Sequence, residues 1–154
     1  MAIAAAVASS SSQISLSAAI RAPDQVTIDL ESLPGEPSEC AVAITPQRLD
    51  DSRANGIGRL AADETRDLLL FPDPLNRPIA AFLNLTVVGP TANGYLVAWK
   101  AGEAMPTTSN VNWSAEQTVA NLALVEVSAG GSISVRNQSA GSIHLAVDAQ
   151  GVIR

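Results

Sequence analysis

The chain has 154 residues, enough for one domain with an appendage. It is 47% hydrophobic, 3% aromatic and 16% charged, with a net charge of −6, so its core must be assembled from small and branched aliphatic side chains. With no basic cluster it has nothing to displace phosphate counterions or to dock on anionic lipid, which argues against nucleic-acid and membrane partners. The single cysteine, Cys40, excludes an internal disulfide framework.

Residues 1–22 are rich in Ala and Ser and offer little to bury. They resemble a signal peptide only superficially. No Lys or Arg precedes Arg21, and the apolar run at residues 2–8 is short. They read as a non-secretory N-terminal arm, ahead of one β-domain over residues 23–154.

Within that domain, residues 25–30 (QVTIDL) alternate as a short strand, closed by Pro34, Gly35 and Pro37. Residues 41–45 predict a second. The polar stretch QRLDDSRANGIG reads as a loop, stapled by ion pairs among Arg48, Asp51 and Arg53. Residues 64–71 fit a short helix or a strand; with no apolar i, i+3, i+4 face long enough to dock, the strand is preferred, ended by Pro72 and Pro74.

Residues 82–100, FLNLTVVGPTANGYLVAWK, predict the central hairpin. Leu83, Leu85 and Val87 share a face opposite Asn84 and Thr86. Tyr95, Val97 and Trp99 share a face opposite Leu96, Ala98 and Lys100. That period of two marks strands, and Gly89-Pro90 with Asn93-Gly94 supplies turn chemistry. Further strands are expected at 109–113, at 118–127 as a sheet centre, at 133–136, and at 143–149, with turns at 130–131 and 137–141. Short strands about ten residues apart indicate an antiparallel β-sandwich, jelly-roll-like, or a small barrel.

No HExxH, GxSxG, phosphate loop or metal-ligand cluster occurs, and no acid pair stands out by spacing. The expectation is no enzyme, no catalytic residue, no metal and no cofactor. His144, the one histidine, sits between Ile143 and Leu145 and reads as a hydrogen-bonded structural residue. Asn84, Asn110, Asn112 and Asn121 lie in predicted strands, where Asn is disfavoured and needs partners if buried. They read as a polar ladder. Alternatively, Asn110 and Asn112 with the rings of Trp99 and Trp113 form an amide-and-aromatic surface for a glycan.

From Arg48 onward the chain resembles a β-domain family abundant in secreted and cell-surface proteins of actinobacteria. The resemblance rests on Arg48-Leu49-Asp50-Asp51-Ser52-Arg53, on LNLTVVGPTANGYL at 83–96, on SNVNW at 109–113 and QTVANL at 117–122, and on His144, Asp148 and Gly151. It covers about two thirds of the chain. Family members commonly carry a cysteine pair, and the matching positions here are Ala101 and Ser134. Loss of that pair suits maturation in a reducing cytoplasm. Together with the lack of an export signal, the resemblance implies a bacteriophage virion protein, assembled in the host cytoplasm and released by lysis. It would be a capsid-decoration (cement) or minor tail protein, docked on other virion subunits through its arm and homo-oligomeric. The alternative is a secreted, extracellular or cell-surface glycan-binding adhesion module, with host cell-wall glycan as partner.

Overall fold

The computed structural model describes residues 17–21, 25–30, 39–54 and 56–154. The chain forms two compact units, Met1–Glu39 and Cys40–Arg154. In the first, β1 (Ser17–Arg21) pairs antiparallel with β2 (Gln25–Leu30). The strand expected at 25–30 is therefore present. Its partner lies inside the stretch assigned to the arm, and the rest of that arm, residues 1–16, lies outside the described residues.

The second unit is a β-sandwich of two four-stranded antiparallel sheets. One has the order β3 (Ala41–Asp51), β10 (His144–Ile153), β5 (Ala80–Val88), β8 (Val119–Glu126). The other has the order β4 (Thr65–Leu69), β9 (Ser132–Ser139), β6 (Gly94–Lys100), β7 (Val111–Trp113). Sandwich, rather than barrel, is the architecture.

Alternation places the core. Leu83, Leu85 and Val87 from β5 and Leu145, Val147 and Ala149 from β10 face Leu96, Ala98, Ile133 and Val135 of the other sheet, all buried. Aliphatic side chains fill most of this interior as the composition requires, with the Trp113 ring buried among them and Phe71 half-buried against it.

Several expectations change. The two strands of residues 82–100 exist with the expected faces, but they do not pair with each other. β5 pairs with β10 and β8, whereas β6 pairs with β9 and β7. The connection crosses from one sheet to the other. It is longer than the two-residue turn that clamps a hairpin, and each strand keeps its own inward face. β8 is an edge strand, not a sheet centre; the centres are β10, β5, β9 and β6. β3 runs on through Pro46 to Asp51, where a loop was expected. Proline fits because β3 is an edge strand whose register with β10 breaks between its pairs at Ala43 and Gln47. β9 extends to Ser139, so Asn137 lies in a strand rather than a turn, and β10 extends to Ile153.

The outer face of the β3–β10–β5–β8 sheet reads as rows across the strands. Arg48, Asp148, Asn84 and Leu122 form one row, and Ala43, Gly151, Phe82 and Leu124 the next. A Cβ on Gly151 would meet Phe82 Cδ2 at 3.2 Å, so the bare glycine is what lets the ring lie across β10. Charge thus collects at the β3 flank of this face and leucine at the β8 flank.

Candidate functional site

The densest polar cluster of the sandwich lies on that β3 flank. β3 and β10 slip by one residue between the pairs Asp50–Val147 and Arg48–Asp148. The bulge aims Arg48 directly at Asp148. Arg48 Nε donates to Asp148 Oδ1, and Nη2 donates to Oδ2 at 3.2 Å. Arg48 Nη1 also donates to Asp51 Oδ2 at 2.6 Å. Arg53 wraps the same carboxylate, with Nε on Oδ1 at 2.8 Å, Nη2 on Oδ2 at 2.7 Å and its backbone N–H on Oδ1 at 3.0 Å. The arrangement of Arg48, Asp51 and Arg53 as a staple is present, and it gains Asp148 from the last strand. Hydrogen bonds from Arg53 hold the Asp51 carboxyl well below its ordinary range.

Ser52 ends this seam. It is 2% exposed, and its N–H donates to Leu145 O at 3.0 Å. Its Oγ accepts from Leu145 N–H at 3.0 Å and lies 3.0 Å from His144 Nδ1. Which of the two donates follows from the His144 tautomer. Burial, followed by the nearby Arg59 and Arg53 guanidinium groups, pushes the His144 pKa down. A serine 3.0 Å from an imidazole has the spacing of a nucleophile and its base. Here the Oγ is turned to the backbone of β10, inaccessible, with a lone pair already engaged. The pair joins strands, and His144 is hydrogen-bonded as expected. Ser52 was not singled out in the sequence, although it stands inside the quoted motif between Asp51 and Arg53.

The four residues of the amide-and-aromatic surface do not come together. Trp113 is 6% exposed, packs in the core, and donates Nε1–H to Ala92 O at 2.9 Å. Its ring is no platform. Asn110 is spent on backbone: its Oδ1 accepts Ala98 N–H at 2.7 Å, its N–H donates to Leu96 O, and its carbonyl accepts Asn121 Nδ2 at 2.7 Å. It extends along the β6 edge just ahead of β7, which begins at Val111. Asn112 and Trp99 lie on the outer face of their sheet. Asn112 Nδ2 donates to Ser109 Oγ at 3.1 Å, and Trp99 Nε1–H donates to Glu103 O at 3.0 Å. Trp99 thereby anchors Glu103 beside the end of β6, and Val97, on the same outward face of that strand, is 1% exposed. An open cleft of about 350 Å³ separates Trp99 and Pro106 from Leu124.

Asn137 is the polar residue that sequence reasoning placed in a turn. It is fully buried, donates Nδ2 to Ala61 O at 2.7 Å and Gly141 O at 2.8 Å, and accepts Ser139 Oγ–H at 2.7 Å. A buried amide that joins two loops to a central strand is structural.

Among the described residues, no three or more of His, Cys, Asp and Glu group as a metal site. No helix there is long and apolar enough to cross a membrane. In comparison with known proteins, no family model matches the chain, and no curated protein or solved structure is significantly similar to it.

Proposed function

We propose that the chain is a non-enzymatic structural subunit of a bacteriophage virion, a capsid-decoration or minor tail protein. It docks on neighbouring subunits through its N-terminal segment and displays the sandwich. One observation carries this reading: a two-stranded unit over Met1–Glu39 precedes a sandwich with its own core. An isolated two-stranded sheet is marginal in water and gains stability from a partner surface. The polar groups of the sandwich add support, since Arg48, Asp51, Asp148, Ser52, His144 and Asn137 all tie strands or loops together.

The test is quantitative mass spectrometry of purified virions, with and without residues 2–22. The expected result is a stoichiometric copy number for the full chain and none for the truncated one. Absence of the full chain from particles, or normal incorporation of the truncated chain, overturns the proposal. So does capture by isolated bacterial cell wall in place of particles.

A further inference from the structure

We infer that the free edge of β8 is a self-association surface, and that its occupant is β8 of a second copy, paired antiparallel about a two-fold axis near Ala123. This goes beyond the virion reading and holds with or without it.

The argument starts from the four sheet edges. An unpaired strand edge templates pairing with another chain unless it is short, charged, bulged or interrupted by proline. β7 has three residues. β4 has five, with Arg66 and Asp67 among them. β3 carries Pro46 and Arg48 and two breaks in register. β8 has no proline and no break in register, and its single charged residue, Glu126, stands at its very end. It runs eight residues, VANLALVE, without Pro, Lys or Arg. Its register along β5 is unbroken from Val119–Val87 to Glu126–Ala80.

Its outward side chains fit a copy of themselves. Leu122 and Leu124 are 52% and 53% exposed. A two-fold at Ala123 sets each Leu122 beside the partner copy's leucine at position 124 and gathers four leucines in one band. Opposite residues of an antiparallel pair share a face, so the outer faces of the two sheets become continuous. Charge agrees with this register. The one charged residue of β8, Glu126, is at its end and already meets Lys100 Nζ at 3.4 Å. In the pair it falls opposite Ala120, and no like charges meet. The β3 edge, with Arg48, Asp50 and Asp51, has no such self-match. A two-fold interface of this kind is isologous and closes at the dimer.

Sedimentation velocity of the full chain tests the inference. The wild type is expected to shift from monomer to dimer as concentration rises to about 100 µM. Leu122→Lys and Leu124→Lys each bring like charges together in the pair and should weaken dimerisation about 100-fold. Both positions are more than half exposed, so the fold survives, which circular dichroism verifies. Leu75→Lys, at a position 90% exposed in the β4–β5 connection, should leave the dimer unchanged. Hydrogen exchange gives a second readout: alternate β8 amides should lose protection in Leu122→Lys. A wild type that stays monomeric over this range overturns the inference. So does a dimer that persists in both lysine variants, or one that Leu75→Lys disrupts equally.

Discussion

Arg48 and Asp148 meet across the seam between β3 and β10, 100 residues apart in sequence, through two hydrogen bonds from one guanidinium to one carboxylate. Arg48 is 44% exposed and Asp148 22%, so solvent screens the pair. A double-mutant cycle with Arg48→Ala and Asp148→Ala is expected to give a coupling of about 1 kcal/mol in urea unfolding, near the upper end for exposed pairs. A coupling indistinguishable from zero would mean that the bulge, rather than the ion pair, sets the register.

Acidification should loosen the same seam. The folded pKa of His144 lies below its ordinary value of 6.5, so the unfolded chain binds its proton first. The stability it contributes is complete above 6.5 and declines as pH falls towards the folded value. Asp51, also depressed, adds a further decline below its ordinary value of 3.8. Thermal midpoints should fall between about pH 7 and pH 5, and His144→Gln should flatten that segment of the curve. An unchanged slope in the variant would locate the titrating group elsewhere.

The two tryptophans should part in their response to truncation. Trp113→Ala empties part of the core and is expected to cost about 3–5 kcal/mol. Trp99→Ala removes the anchor on Glu103 and should cost about 1 kcal/mol, while residues 101–109 become sensitive to protease. Denaturant titration with limited proteolysis checks both. Equal costs would mean that the sheet's outer face is as well packed as its interior.

Gly131 has φ of 83°, and a Cβ there would strike the Phe71 carbonyl, whose own N–H donates to Gly131 O at 2.9 Å. Gly131→Ala should cost more than about 3 kcal/mol, because backbone, not a flexible side chain, stands in the way. Gly102 has φ of 90° with open space around it, so Gly102→Ala should cost only about 1 kcal/mol. Urea midpoints compare the two directly.

Fold class was legible because alternation is local. Leu83, Leu85 and Val87 share a face whatever strand lies beside them. Pairing was not legible, since alternation is silent about partners and the residues around Pro90 could as well close a hairpin as cross between sheets. The staple was readable from charge spacing within six residues. Its fourth member, Asp148, was not, because only the β3–β10 register brings it there. Trp113 and Asn110 show the same limit: a residue's type does not say which side of a sheet it faces or which backbone groups it meets, and the pairing of β7 with β6 decides both.

β10 lies between β3 and β5, the earliest and a middle strand of its sheet, and it is the last strand made. A nascent chain leaving the ribosome therefore carries β3 and β5 with nothing between them until residues 144–153 emerge. Such non-local closure favours slow folding and prolonged exposure of apolar strands. Chaperone demand during synthesis should then track completion of residues 144–153.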